Sequence, residues 1–322
     1  MKIPSLLKEP RSVRRTGDNT AAGSLLGYVW RMSEWHQVAA CLVAVVVALL
    51  NLAPLELQRR IVNEVVETQN TDLLIRFCAI YVAVILLHQA VKFGLRLYQG
   101  WMTDSAIIYT RSHLLRLYAD RQGEEDESGG RAVSIVGSEV DKLGGFVGEA
   151  LSQAVVNLAM LLGVTGYMLV VEPGIAVFAL GFLVPQVVLT PLLQRKLNAL
   201  VEERLSLLRD LGDEVSEMTA AREDPCLKVL RQIFTNRMRF NLLKFALKTM
   251  LNLLRAMGPV TVLIFGGYMV MQGETQVGVL VAFLSGFERL AGPLRELIAF
   301  YRVAAQANVQ HEMIAEWMQT RT

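Results

Sequence analysis

The chain has 322 residues, of which 53% are hydrophobic and 19% charged, and it is too apolar for an ordinary soluble protein of that length. Its formal net charge of +2, with no basic run interleaved with aromatics, gives no footing for a nucleic-acid partner. Three cysteines, Cys41 and Cys78 in apolar segments and Cys226 in a charged one, show neither a disulfide framework nor metal-ligand spacing, so no metal or cofactor is expected on this chain.

Residues 1–20 carry basic side chains, but no apolar run starts until about Val38, and they read as a cytosolic tail and not a signal peptide. Residues 21–35 read as a short amphipathic elbow helix lying on the membrane surface, with Tyr28, Trp30 and Trp35 suited to the headgroup level. Six apolar segments follow at roughly 36–57, 73–98, 150–171, 174–194, 249–271 and 278–300, each near the ~20 residues that cross ~30 Å of hydrocarbon. Three connectors are short to moderate: Gln58 to Asp72, Glu172-Pro173-Gly174 and Gln272 to Val277.

The other two intervals, about 99–149 and 194–248, are long. They and the tail hold most of the Lys and Arg, among them Arg195, Lys196, Arg204, Arg209, Arg231 and Arg239, whereas the short connectors hold essentially Arg59 and Arg60. This bias places both termini and both long intervals in the cytosol, as in a multi-pass protein of a bacterial inner membrane. Within the intervals, Ala106 to Asp120 and Leu192 to Glu217 repeat leucines at helical spacing among i,i+4 charge pairs, so the spans continue as helices below the membrane. A helix from Leu73 to Asp120 reaches roughly 70 Å at 1.5 Å per residue, more than twice the hydrocarbon thickness. Gly123 to Gly130 and Arg222-Glu223-Asp224-Pro225 break the rods, making each interval a helical hairpin with a short element at its tip.

The segment Gly130-Arg131-Ala132-Val133-Ser134-Ile135-Val136-Gly137-Ser138-Glu139-Val140-Asp141-Lys142-Leu143 is similar to the first intracellular loop of ABC exporters, with Arg131 where Glu is usual and Glu139 in place of an Asp. Glu214 to Phe234 is similar to their second intracellular loop, with Ala220-Ala221-Arg222 for the usual Gly-Ile-Arg and an unusual Pro225. Gly292-Pro293-Leu294-Arg295-Glu296-Leu297 closes the sixth span, and a helix ending Glu312-Met313-Ile314 follows. In order and spacing the chain resembles the transmembrane domain of type I ABC exporters, from the elbow helix to Trp317. The resemblance implies an all-α membrane protein of six transmembrane helices with long cytosolic extensions, pairing with a second such domain as a homodimer or heterodimer whose spans four and five cross over. It also implies coupling helices that dock on nucleotide-binding domains, here Ser138, Glu139, Val140, Asp141, Lys142 and Leu143 in the first loop and Thr219, Ala220, Ala221, Arg222 and Leu227 in the second.

No G-x-x-x-x-G-K-[ST] phosphate loop occurs, and Leu284-Ser285-Gly286 resembles an ATPase signature only by chance, since it lies inside a span. The expectation is a chain with no ATPase domain and no catalysis of its own, coupled to ATP and Mg²⁺ through a partner ATPase subunit.

Ionisable groups inside spans are costly and mark pathways or buried pairs. His88, Lys92 and Arg96 share one face of span two, and Lys92, Arg96 and Arg255 lie near enough to the cytosolic end to snorkel. Glu288 lies near the midplane, where it either lines the pathway, paired with His88 or Lys92, or forms a buried structural ion pair with a neighbouring helix. With Asn157 these complete the candidate pathway set of His88, Lys92, Asn157, Arg255 and Glu288. A basic inner face around Lys92, Arg96 and Arg255 suits an anionic amphiphile. Gly144, Gly145 and Gly148 suit either close helix approach or a flexible start to span three. Two further readings stay open: a proton-coupled transporter on the same fold, using Glu288 and His88, and an inactive assembly or sensing subunit.

Overall fold

The computed structural model describes residues 9–10, 23–65, 69–121, 137, 139–216 and 224–319. Every regular element among them is helical, and six helices are long and apolar enough to cross a membrane: Trp35–Val65, Thr71–Ala119, Val140–Val171, Pro173–Val215, Cys226–Met271 and Val277–Met318. Each contains one of the six apolar segments. The chain divides into two compact units, Met1–Tyr167 with Glu288–Thr322, and Met168–Phe287.

In the first unit, α1 (Leu25–Ser33) starts where the Ser24 hydroxyl accepts the Gly27 amide at 3.1 Å, a side-chain N-cap. Its Trp30 and Trp35 beyond it are exposed and meet edge to face at 6.0 Å, as expected for a surface helix. Tyr28 departs from that expectation. It is buried, with its hydroxyl 2.6 Å from that of Thr110 and its ring 5.7 Å from His311, and burial pushes its pKa up to about 12. A helix with one inward stripe must aim one of its aromatics at the core.

The first span is α2 (Trp35–Leu50) and α3 (Ala53–Arg60), which runs on into a π-helical turn, Ile61–Val65. Pro54 lacks an amide and cannot continue the α2 ladder, so the chain turns at Asn51 and Leu52. The Leu55 amide accordingly donates to the Leu52 carbonyl at 2.9 Å. The helix then passes Gln58, where a connector was expected. Arg59 and Arg60 each donate to Glu56 at 2.8 Å, and such i,i+3 and i,i+4 pairs sustain a polar turn.

Helix α4 (Thr71–Arg121) has 51 residues, about 76 Å at helical rise, and matches the expected rod. Against it pack α5 (Val140–Gly145), a π-helical turn at Phe146–Ala150, and α6 (Leu151–Val171). The contact is close because of glycine: a Cβ on Gly148 would lie 2.5 Å from the Gln99 carbonyl oxygen and 2.6 Å from the Thr103 nitrogen. Beyond the apolar segments, Tyr28 and Met32 of α1, Leu114 of α4, Leu143 of α5 and Ile314 and Trp317 of the last helix form one core.

In the second unit, α7 (Pro173–Gly181) and α8 (Leu183–Ser216) run against α9 (Asp224–Thr261), which continues through a π-helical turn, Val262–Gly266, into α10 (Gly267–Met271). The rods below the membrane are tied by the Asn236 amide donating to Glu203 at 2.8 Å. Within the membrane Phe178 stacks on Phe265 at 4.8 Å, and a Cβ on Gly258 would enter the ring of the fully buried Phe287. Gly258→Ala is expected to cost about 1–3 kcal/mol in thermal unfolding, with Phe287→Leu restoring most of the loss. An unchanged melting temperature would contradict this packing.

The sixth span and the helix expected to follow it are one continuous rod, α11 (Val277–Gln319), with Pro293 inside it.

Candidate functional site

The first unit holds a guanidinium at the middle of its span. Arg289 lies about eleven residues into the sixth apolar segment, some 16 Å deep at helical rise. Its Nη1 donates to two oxygens of Asn51 on the first span, the backbone carbonyl at 2.7 Å and Oδ1 at 2.6 Å. The carbonyl is free to accept because the Leu55 amide, its helical partner, is diverted to Leu52 at the Pro54 break. Pro293 lacks the amide that would bond the carbonyl of Arg289 itself, so both partners sit in proline-interrupted turns. Asn51 is fixed in turn, its Nδ2 donating to Met160 Sδ of α6 at 3.3 Å.

Helix α4 supplies the opposite wall. Tyr81, His88 and Lys92 share a face, at spacings of seven and four residues. The Tyr81 hydroxyl accepts the Gln58 amide at 3.1 Å, and this bond between the first span and α4 sets His88, seven residues beyond Tyr81, level with Asn51, seven residues before Gln58. His88, Lys92 and Arg289 are all half-buried.

Of the candidate pathway residues, His88 and Lys92 therefore come together, but around Arg289. The expected pairing of Glu288 with His88 or Lys92 is not found among the described residues, where Glu288 is exposed and its neighbour Arg289 bonds to Asn51 instead. Successive helical residues point about 100° apart, so only one of the two can face α4. Asn157 is buried in α6. Arg255 is exposed in α9, within the other unit. The signal for Arg289 was present in the sequence as a second intramembrane charge beside Glu288.

Residues 38–294 match the family model of the ABC transporter transmembrane region. The chain belongs to this family. No curated protein matches it.

The ABC transmembrane region is a translocation domain. In the core shared by α1, α4, α5 and α11, Val140 and Leu143 are fully buried, whereas Asp141 and Lys142 are exposed. Asp141 accepts from Arg111 of α4 at 2.8 Å, and Arg111 also donates to the Gly137 carbonyl at 3.0 Å. Lys142 approaches Glu139 at 3.5 Å. The α5 segment lies along the rod opposite Arg111, about 15 Å before the described end of α4 at Arg121. Leu227 is exposed on α9. Ser138, Thr219, Ala220, Ala221 and Arg222 lie outside the described residues. Among the described residues, no cluster of three or more His, Cys, Asp or Glu could hold a metal.

At the other end of the first unit, Glu56 gathers three donors. It accepts from Arg59 and Arg60 and, at 3.0 Å, from the Tyr167 hydroxyl of α6, tying the first span to the third.

Proposed function

We propose that this ABC transmembrane region is the membrane half of an ATP-driven exporter in a bacterial inner membrane, with both termini cytosolic. It forms the substrate pathway with a second transmembrane domain and is driven by a nucleotide-binding partner that supplies ATP and Mg²⁺. The observation that carries the reading is the family match joined to helix length: α4 is about 76 Å long, and the excess over ~30 Å of hydrocarbon projects to where a soluble motor can push on it. The exposed Asp141 and Lys142, and Leu227 on the second hairpin, are the described side chains available for that contact. Closure of two motor domains would swing the rods and switch the pathway from inward to outward facing.

The tagged chain purified from its native membranes is expected to bring Mg²⁺-dependent ATP hydrolysis with it. In proteoliposomes, Asp141→Lys is expected to lower transport per ATP by about tenfold while ATP hydrolysis persists. Because Asp141 also pairs with Arg111, the exchange Arg111→Asp with Asp141→Arg restores the internal pair. Continued uncoupling in the exchange variant supports motor contact, and full rescue assigns the defect to the internal pair. Transport that proceeds without ATP overturns the proposal.

A further inference from the structure

Arg289 carries five N–H donors, and only those on Nη1 have partners. No carboxylate among the described residues pairs with it, although it lies at a depth where an unpaired guanidinium is costly. The remaining donors, on Nε and Nη2, have no hydrogen-bond partner among the described residues, and the register of α4 against the first span brings His88 to the depth of Asn51, with Lys92 one turn further on. Two cationic side chains, Arg289 and Lys92, with the His88 ring beside them and no counter-ion among the described residues, form a site that favours an anion. Asn51 adds a second requirement, because its two oxygens hold one edge of the guanidinium and leave the other edge, a parallel pair of donors, for a planar or tetrahedral oxyanion.

We infer that Arg289, with His88, Lys92 and Tyr81, forms a mid-membrane binding site for a phosphate or carboxylate group. The anion is the charged part of a transported molecule, and in that respect the inference rests on the transport reading above. Binding itself does not, since it needs neither ATP nor a motor. The site also explains the geometry at Asn51: the break at Pro54 exposes a carbonyl that pins the guanidinium without neutralising it, as a carboxylate would.

The test is ligand binding to the purified full chain in lipid nanodiscs, read as thermal stabilisation and as affinity by calorimetry. The probes are dodecyl phosphate, inorganic phosphate, dodecyl maltoside and dodecyltrimethylammonium. Stabilisation by dodecyl phosphate alone identifies an amphiphile headgroup as the ligand; stabilisation by inorganic phosphate as well identifies a soluble anion. Arg289→Gln is expected to weaken phosphate binding by at least about tenfold. Asn51→Asp, which sets a carboxylate against the guanidinium and keeps the contact, is expected to do the same in a chain that still melts cooperatively, and it carries the test if Arg289→Gln does not fold. Arg76→Gln, at the far end of α4, leaves binding unchanged. Equal stabilisation by the neutral or cationic probe, or phosphate affinity unaltered in Asn51→Asp, overturns the site. Failure of binding with ATP-driven transport intact removes the anion site alone, whereas intact binding without a co-purifying ATPase removes the motor alone.

Discussion

Gly148→Val is expected to abolish the packing of the second and third spans, lowering stability by about 3 kcal/mol or more and leaving little folded protein in detergent. The added carbon meets the Thr103 hydroxyl first and, directly behind it, the Gln99 carbonyl oxygen and the Thr103 nitrogen, both main-chain atoms of a continuous helix. A side chain can rotate aside, but a helix backbone must translate. Thr103→Ala therefore cannot rescue Gly148→Val, and rescue would refute close backbone approach as the cause. Gly144 differs in kind. Its Cβ would meet the Ile107 side chain first, so Gly144→Ala is expected to be milder and to recover when Ile107 is shortened to Val. The Gln99 amide donating to Ser152 at 2.8 Å depends on the same approach, and a buried hydrogen bond goes with the packing if the helices part.

The second large effect is expected at Glu56. Glu56→Gln removes the charge that holds Arg59, Arg60 and Tyr167 in one cluster, leaving two guanidinium groups side by side with a weak acceptor between them. The cluster is partly exposed, which reduces the loss to about 2 kcal/mol from the larger figure for a fully buried pair. Thermal unfolding of Glu56→Gln, Tyr167→Phe and the double variant checks it. Because the two residues share a bond between the first and third spans, the double variant should cost less than the sum of the singles. Strict additivity would show that the contact contributes nothing.

Hydropathy and helical spacing sufficed for the six spans and for the rods beneath them, because a bilayer imposes a fixed length and a helix a fixed period. The first span was misjudged at its end. Gln58-Arg59-Arg60 looks like a connector when charge is counted, yet those charges are consumed by Glu56 one turn earlier. Tyr28 reads as a headgroup-level residue on local pattern, and its burial has a non-local cause, since Thr110 and His311 are far away in the chain; Val140 and Leu143, docking residues by resemblance, are likewise buried against distant partners such as Ile314. The glycines of Gly144-x-x-x-Gly148 were visible as a pair, but only the facing backbone of α4 distinguishes close approach from flexibility. Arg289 was hidden beside Glu288, since hydropathy weighs an intramembrane charge without saying which way it points. Pro54 and Pro293 were the usable clue, each releasing a carbonyl in the turn where the two partners lie.

The core that α1 shares with α4 and α11 in the first unit has a mechanical consequence. It fastens α1, whose exposed Trp30 and Trp35 are suited to lipid headgroups, to α4 and α11 through Tyr28, Leu114, Ile314 and Trp317. With those tryptophans seated in a headgroup layer, a rod clamped in this way could tilt only by dragging its anchor sideways through that layer. Lateral pressure and headgroup crowding would then act as a load on these helices, so the membrane would set part of the resistance against which they move.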